Sequence, residues 1–266
     1  MTLHPNYINI NKDNWNKRTA LHIKSDFYNY DGFVRGDSSL NPIEIGLLPD
    51  VKGKSMLHLQ CHFGQDTISW QRLGATVTGV DLADEAIKEA RILNDKCGTD
   101  AKFVCSDIYT LPDAHDGKYD IIFTSYGTIG WLPSLDRWAE VVSHYLKPGG
   151  TLLIVDFHPM IWMYDDELTK ITYSYFNREA IIEEEQGSYA DKRSSDILKS
   201  VGWNHSTADL INSVIKHGLT IESFDEYDYS PYQVFPGMVE AKSNQYVIEK
   251  WAGKMPLLYA LKATKK

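Results

Sequence analysis

The sequence predicts an α/β protein built on a doubly wound, mainly parallel sheet. Between residues 56 and 157, apolar runs alternate with segments of helical periodicity. These runs are apolar nearly throughout, which is typical of parallel strands covered by helices on both faces. Ligands of such sheets bind beyond the carboxyl ends of the strands. The residues that follow each strand are therefore the candidate functional residues.

Capping residues, glycines and prolines predict the element boundaries. An N-terminal helix is predicted over residues 12–28, with Asp13 or Asn14 as its N-cap. Residues 31–50 are predicted to be a loop, because glycines and prolines interrupt them. The strands that follow are predicted at 56–60, 75–83, 102–107, 119–127 and 151–157. The helices between them are predicted at 66–73, 84–97 and from residue 134 onward.

The rest of the chain breaks this alternation. A helix predicted over 207–218 leads to an apolar run at 219–227, which is expected to pair with a second run at 256–265. We expect a single domain over residues 1–266. Its predicted parts are an N-terminal cap (1–50), a cofactor-binding core (51–157), an insertion rich in aromatic and acidic residues (158–204), and a C-terminal helix with a terminal strand pair (205–266).

Charge and cysteine content disfavour several classes of protein. The 266 residues carry a formal net charge of −9, whereas proteins that bind nucleic acids usually present a basic face. Three cysteines are too few for a disulfide framework and favour a reducing compartment. No apolar run approaches the ~18 residues of a membrane span, and no signal peptide is evident. We therefore expect a cytoplasmic protein that binds neither nucleic acids nor membranes.

The first strand ends in the stretch MLHLQCHFGQD, residues 56–66. Gly64 lets the backbone pass close to a ligand, and the helix that follows offers free backbone N–H groups. Three interpretations are open here. The stretch is a cofactor loop with unusual residues, a metal site made of His58, Cys61 and His62, or a buried strand with an odd ending.

Polar residues also follow the next three strands. Asp81 comes after the second strand and can accept hydrogen bonds from both hydroxyls of a ribose. Asp107 comes after the third strand and can accept one from an exocyclic amine, which selects adenine. Thr124, Ser125 and Tyr126 end the fourth strand, and this edge suits the amino-acid tail of a cofactor or a substrate. The ordered set is more informative than any one of these residues.

The ordered motifs LHLQCHFGQDT, GVDLADEAI, FVCSDIYTLP, YDIIFTSYGTIGWL and LKPGGTLLIVDF resemble the class I S-adenosylmethionine-dependent methyltransferases. The form of the loop is similar to that of a bacterial subgroup acting on small molecules. The resemblance implies a Rossmann-like sheet of seven strands, with an N-terminal helical cap and an insertion after strand five. It also implies S-adenosylmethionine as the cofactor. The residues predicted to bind it are His58, Gln60, Cys61, Phe63, Gly64, Asp66, Asp81, Leu82, Ser106, Asp107, Ile108, Thr124 and Ser125.

The loop departs from the family pattern at three positions. His58 stands where an acid is common, and Gln60 and His62 stand where glycine is common. The glycine nearest the helix, Gly64, is retained, which favours a variant cofactor loop. A metal site is disfavoured, because strand alternation and the bend place His58 and His62 on different sides and no second ligand pair follows.

Catalytic and acceptor-binding residues are predicted in the segments that should cover the sheet. His158, at the end of the fifth strand, is predicted to be a general base or substrate ligand, and Tyr126 is predicted to be catalytic. The acceptor, a small molecule methylated on nitrogen or oxygen, is predicted to contact Trp15, His22, Tyr28, Trp131, Trp162 and His205. A monomer or homodimer is expected.

Three other functions compete with this prediction. A nicotinamide-dependent oxidoreductase would also use Asp81, but it predicts a GxGxxG spacing that the loop lacks. A protein that binds S-adenosylmethionine without catalysis would keep the cavity and show no turnover. A nucleic-acid methyltransferase is disfavoured by the net charge, and by TSYG after the fourth strand in place of an Asn/Asp-Pro-Pro-aromatic tetrad.

Overall fold

The computed structural model describes residues 6–266, which contain eight α-helices and eleven strands. The strands are β1 (Ser55–Leu59), β2 (Thr76–Asp81), β3 (Lys102–Cys105), β4 (Tyr119–Ser125), β5 (Leu146–Phe157), β6 (Ile181–Gln186), β7 (Ile197–Gly202), β8 (Leu219–Tyr227), β9 (Met238–Lys242), β10 (Gln245–Ile248) and β11 (Leu258–Lys265). The helices are α1 (Tyr7–His22), α2 (Tyr30–Arg35), α3 (Pro42–Leu47), α4 (Gln65–Arg72), α5 (Asp84–Cys97), α6 (Leu111–Ala114), α7 (Leu135–Tyr145) and α8 (Thr207–Lys216).

Seven strands form one sheet in the order β3-β2-β1-β4-β5-β11-β8. Strands β1 to β5 pair in parallel, and β11 runs antiparallel between β5 and β8. The predicted doubly wound, mainly parallel seven-stranded sheet is confirmed, as is the pairing of the terminal strands. This order brings the carboxyl ends of β1, β2, β3 and β4 to one edge of the sheet.

Helix α7 shows why the core elements follow their sequence signals. Ser134 caps it by accepting a hydrogen bond from the Arg137 backbone N–H at 3.3 Å. Trp138, Val142 and Tyr145 recur at helical spacing and are fully buried against the sheet. Burial of each such side chain contributes roughly 1.5–3 kcal/mol, so this face holds the helix in place.

The N-terminal predictions were wrong in two respects. Helix α1 begins at Tyr7, well before the predicted caps at Asp13 and Asn14, and it ends at His22. The predicted loop 31–50 contains the short helices α2 and α3. Proline is well tolerated at the first position of a helix, and this is where Pro42 lies in α3.

The fully buried residues of helix α1 are polar, and they hold it through hydrogen bonds. Asn11 both donates to the carbonyl of Val201 and accepts from its N–H, at 2.8 and 2.9 Å. Asn14 donates to the carbonyl of Lys199 at 2.8 Å. These bonds attach α1 to β7, which pairs with β6 as a separate antiparallel hairpin within the segment predicted to be an insertion. The hairpin was not predicted.

A second small hairpin, β9 with β10, lies in the connection between β8 and β11. Among residues 6–266, no helix combines the length and apolar character needed to cross a membrane.

Candidate active site

A cavity of about 1220 Å³ opens at the carboxyl ends of the central strands. Its floor is the loop after β1 together with the residues that follow β2, β3 and β4, and its roof is formed by α1, the segment 159–207 and the segment 231–236. Most of the predicted site residues line it, namely His58, Gln60, Cys61, Phe63, Gly64, Asp66, Asp81, Leu82, Asp107, Ile108, Ser125, Tyr126, Trp15, Tyr28, Trp131, Trp162 and His205.

The loop after β1 has left-handed backbone angles, as a glycine-rich loop does, although most of its residues are not glycine. Gln60 and His62 have φ angles of 57° and 51°, and Gly64 has 84°. For residues other than glycine this left-handed conformation costs roughly 1–2 kcal/mol, so two of the three positions are strained. Glycine is required at 64 for a further reason, since a Cβ there would lie 2.6 Å from the Phe103 ring.

Asp81 faces the cavity and orders the loop at the same time. One carboxylate oxygen accepts from the His62 backbone N–H at 2.8 Å, and the other accepts from the Ala83 N–H at 2.9 Å. Burial raises the pKa of Asp81 to about 6, against the effect of these hydrogen bonds. Each oxygen keeps a lone pair for a further donor, which suits the hydroxyls of a ribose.

His58 is neutral and presents a nitrogen without a protein partner. Its Nδ1 lies 2.8 Å from Thr67 Oγ1, and burial lowers its pKa to about 3. Its Nε2 is buried and has no hydrogen-bond partner among residues 6–266, and the same is true of Gln60 Oε1. Buried polar atoms are nearly always bonded, so these two suit a polar ligand in the cavity.

Asp66 is a buried carboxyl group at the start of α4. Ser39 donates to its Oδ1 at 2.6 Å and Ser125 donates to its Oδ2 at 3.1 Å. Burial raises the pKa of Asp66, and the two hydroxyl donors oppose that shift. The group supplies negative charge to the cavity beside β1, where the variant loop has His58 in place of an acid.

Asp107 and Ile108 line the end of the cavity that Tyr7 covers. Asp107 accepts a hydrogen bond from the Tyr109 N–H at 3.2 Å, and burial raises its pKa. The charge of Asp107 in turn helps to raise the pKa of Tyr7 to about 12, after burial. This end of the cavity combines an acceptor with apolar walls.

Two predicted cofactor-binding residues do not line the cavity. The Ser106 hydroxyl turns away and donates to the carbonyl of Asp107 at 2.9 Å. Thr124 is fully buried, and its hydroxyl donates to the carbonyl of Leu59 and to Thr128 Oγ1 at 3.2 and 3.1 Å. Strand alternation explains the second case, because it turns Ser125 toward the cavity and Thr124 away from it.

His158 is also separated from the cavity. Its backbone N–H donates to the carbonyl of Leu257 at 2.8 Å, which extends the pairing of β5 with the chain before β11. Its Nε2 lies 2.9 Å from Glu226 Oε1 on β8. The chain that enters β11 and the end of β8 therefore hold His158 outside the cavity.

His22 lies behind the cavity wall and joins three parts of the chain. Its Nδ1 lies 2.9 Å from His62 Nε2, and its Nε2 lies 3.2 Å from the Ser188 hydroxyl. Burial lowers the pKa of both histidines, that of His62 to about 3. The neutral pair links α1 to the loop after β1 and to the segment that follows β6.

Arg18 is a cavity residue that the sequence analysis missed. Its guanidinium is 5.6 Å from the Trp15 ring and 5.9 Å from the rings of Trp131 and Tyr189. It also pairs with Glu185, whose side chain is about half exposed. The sequence signal for Arg18 is a row of polar residues at helical spacing on α1. Such a row usually forms the exposed face of a helix.

The far end of the cavity is an aromatic chamber. Phe157, Trp162 and Phe235 meet edge to face, with ring centroids 5.2–5.8 Å apart. Tyr126 and Tyr232 add a second such pair at 5.0 Å. Tyr232 and Phe235 lie in the connection between β8 and β9, for which the sequence analysis predicted no role.

Tyr126 is bonded to a buried acid that lies in the segment predicted to be a loop. Its hydroxyl donates to Glu44 Oε2 at 2.8 Å. Glu44 is 0 % exposed, and burial raises its pKa to about 7. The remaining predicted acceptor residue, His205, uses its Nε2–H to donate to the carbonyl of Leu132 at 2.7 Å.

Within residues 6–266, no three His, Cys, Asp or Glu side chains are grouped so as to hold a metal ion. Cys61 is buried in the apolar cluster behind the loop, and burial raises the pKa of its thiol well above the ordinary value. A raised pKa keeps the thiol protonated and unreactive at neutral pH.

Comparisons with known proteins agree with this geometry. Residues 56–150 match a family model described as a methyltransferase domain. A ubiquinone biosynthesis O-methyltransferase of Idiomarina loihiensis is 28% identical over 134 residues, which are 49% of this chain and 55% of that protein. The chain spans about half to three fifths of the length of the first curated relatives it matches.

Solved structures share the fold over most of the chain. An S-adenosylmethionine-dependent methyltransferase of Mesorhizobium loti has a TM-score of 0.58 at 18% identity, covering 87% of this chain and 100% of that one. A complex of DhpI with SAH has a TM-score of 0.58 at 18% identity, covering 98% of each chain. Residues 56–150 therefore match a methyltransferase domain, and the chain shares the fold of S-adenosylmethionine-dependent methyltransferases, in agreement with the family resemblance seen in the sequence.

Proposed function

We propose that the protein is an S-adenosylmethionine-dependent methyltransferase that methylates an oxygen of a small molecule. One observation carries this proposal. A single cavity joins the variant loop and the acids after β2 and β3 to a chamber walled by aromatic rings. The ubiquinone biosynthesis enzymes among the relatives are named O-methyltransferases, which supports oxygen as the acceptor atom.

The cofactor would be held along the strand ends. Asp81 would accept from the ribose hydroxyls and Asp107 from the adenine amine. Gln60 Oε1 and Asp66 would accept from the ammonium group of the amino-acid tail. Their buried polar atoms fit such a ligand, because within the described part of the chain Gln60 Oε1 has no partner and two serine hydroxyls donate to the Asp66 carboxylate.

Arg18 is the cation that we assign to the carboxylate of the same tail. It lines the cavity beside Trp15 and Trp131, and its charge contributes to the lowered pKa of His62 on the loop. A bound carboxylate would either share the guanidinium with Glu185 or take the place of the Glu185 carboxylate.

S-adenosylmethionine, when bound, supplies a methyl group on a sulfonium and therefore already activated for in-line displacement. The protein then mainly has to align the acceptor and exclude water. Good alignment supplies roughly 7–11 kcal/mol of a barrier. The roof formed by α1 and by the segment 159–207 would exclude water from the cavity. For this reason we propose that cap, core and insertion act as one domain.

Calorimetric titration with S-adenosylmethionine, S-adenosylhomocysteine and NAD tests the cofactor assignment. We expect the two sulfur nucleosides to bind and NAD not to bind. Asp81→Ala should weaken binding by roughly 1.5–3 kcal/mol, because a hydrogen-bonded charged group is lost. Asp84→Ala, three residues further on and exposed, is the matched control and should bind normally. Binding of NAD alone would refute the proposal.

Turnover is measured as S-adenosylhomocysteine formed in the presence of simple phenols, catechols and amines. Formation that depends on an acceptor supports an enzyme. Tight binding of S-adenosylmethionine without turnover of any acceptor would instead indicate a non-catalytic binding protein.

A further inference from the structure

We propose that Tyr126, backed by Glu44, takes the proton from a hydroxyl-bearing aromatic acceptor such as a phenol or catechol. This inference rests on the proposed function and names its substrate class. Tyr126 lies at the point where β4 ends and lines the cavity. Its hydroxyl is the one group of the aromatic chamber that is bonded to a buried carboxyl group, that of Glu44.

The backbone holds Tyr126 in an unusual conformation. Its φ angle is 46°, a left-handed value that residues with a bulky side chain rarely adopt. Its N–H donates to the carbonyl of Val155 at 2.7 Å, so the neighbouring strand β5 fixes it there. Strain of this kind persists where the surrounding structure requires it and is concentrated at functional sites. The strained backbone directs the phenol toward both the chamber and α3.

Glu44 divides its two oxygens between different tasks. Oε1 accepts from the Asn41 backbone N–H at 2.6 Å and from the Asn41 side chain at 3.2 Å, which caps α3. Oε2 accepts from the Tyr126 hydroxyl at 2.8 Å. Helix capping therefore accounts for the role of Oε1. Oε2 is left to exchange a proton with the Tyr126 hydroxyl.

No cation of the described chain lies within ion-pair distance of Glu44. The titratable groups whose charge acts on it, or on which its charge acts, are acids and phenols, namely Asp66 on α4, Tyr126 on β4, Tyr232 in the roof, and Tyr227 and Tyr229 at the end of β8. This surrounding disfavours a second negative charge and favours the neutral acid. A carboxyl group in that setting is a proton acceptor near neutral pH, consistent with its raised pKa of about 7.

The walls of the chamber select a flat, uncharged ring. Phe157, Trp162 and Phe235 offer ring faces and edges at stacking distance from one another, and none of the cations among residues 6–266 stacks on them. The many acids of the surrounding roof repel an acceptor that arrives as an anion. A neutral phenol satisfies both conditions and must lose its proton inside the cavity.

The proton balance is simple. The acceptor O–H bond breaks and its proton moves to the Tyr126 oxygen, while the Tyr126 proton moves to Glu44 Oε2. The acceptor becomes an oxyanion and Glu44 becomes a neutral acid. A neutral amine already has a free lone pair and needs no such step, so the pair is specific to a hydroxyl acceptor.

The experiment compares wild type with Glu44→Gln and Tyr126→Phe, using phenol and catechol as probe acceptors and aniline, which is unprotonated at neutral pH, as the amine probe. Glutamine retains the oxygen that caps α3 and removes the ionisable oxygen. We expect both variants to bind S-adenosylmethionine as wild type does and to lose about 100- to 10,000-fold in kcat on the phenols. Tyr227→Phe removes a phenol near Glu44 that does not line the cavity, and it should keep full activity.

The pH profile separates a proton acceptor from a structural residue. Wild-type kcat should fall as the pH drops below about 7, because Glu44 must be ionised, and Glu44→Gln should lose this limb. The inference is overturned if either variant retains the wild-type kcat on the phenols, or if Glu44→Gln still loses activity as the pH drops below about 7. Turnover of aniline but of no phenol also overturns it and changes the acceptor atom of the proposed function from oxygen to nitrogen. Failure to bind S-adenosylmethionine refutes the proposed function itself.

Discussion

Helices α1 and α7 are both held by a buried face, but the two faces have opposite chemistry. Helix α7 buries Trp138, Val142 and Tyr145 against the sheet. Helix α1 buries Asn11, Asn14, Thr19, His22 and the cation of Arg18. A polar buried face is costly unless each group is bonded, and here the partners belong to β7, to the loop after β1 and to the cavity. The difference shows that α7 stabilises the fold, whereas α1 forms a wall of the site.

The largest effect that tests this comparison is expected in the core. Trp138→Ala should lower the free energy of unfolding by about 3–5 kcal/mol, because it leaves a cavity under α7. Trp131→Ala is the matched variant, since Trp131 faces the cavity and is only half buried. Urea unfolding measures both. A loss at Trp131 as large as that at Trp138 would break the distinction between a core face and a site face.

A smaller effect, on binding rather than stability, is expected in α1. Arg18→Met should weaken binding of S-adenosylmethionine by about 1.5–3 kcal/mol, because a charged hydrogen bond to the ligand is lost. The free energy of unfolding should change less, since Glu185 is half exposed and remains hydrated. Lys17→Met, on the exposed side of the same helix, is the control. Equal affinities in calorimetric titration of the two variants would contradict the assignment of Arg18.

The third effect, the smallest per pH unit, concerns the pH dependence of stability. The folded pKa of His62 is lowered to about 3, so its contribution to stability is complete above about pH 6.5 and is lost as the pH falls toward 3. His62→Asn, which tolerates the left-handed backbone, should make the decline of unfolding free energy shallower by up to about 1.4 kcal/mol per pH unit between pH 6 and 4. Urea unfolding at several pH values measures the slope. Between pH 7 and 8 the two slopes should agree, and equal slopes at acid pH would show that His62 is not buried as a neutral group.

The sheet was predictable because its signals are local. Apolar runs, together with the glycines that follow the helices, predicted the strands and helices between residues 55 and 157. The positions of Asp81 and Asp107 just after strands were enough to predict that both line the cavity. Helix α3 was missed because Pro42 suggests a break, although proline is favoured at the first helical position. The covering segments were predicted, but the contacts that hold them in place were not, because contacts such as that of Asn11 with Val201 join distant parts of the chain.

The variant loop shows a different limit of sequence reasoning. Gln60 and His62 suggested that the glycine loop had been altered, yet both adopt left-handed backbone angles. The conformation is imposed by neighbours, in particular by the bond from the His62 N–H to Asp81. Similarly, the position of His158 at a strand end predicted a catalytic residue, but the backbone pairing of His158 with Leu257 holds it outside the cavity.

The position of β11 between β5 and β8 has a consequence for synthesis on the ribosome. Strand β5 emerges about 100 residues before the strand that pairs with its outer edge. At roughly 5–20 residues per second, the nascent chain carries this apolar edge unpaired for about 5–20 s. An unpaired apolar edge is a site of aggregation. Slowing translation after residue 157 should therefore increase the dependence of this protein on chaperones that bind emerging chains.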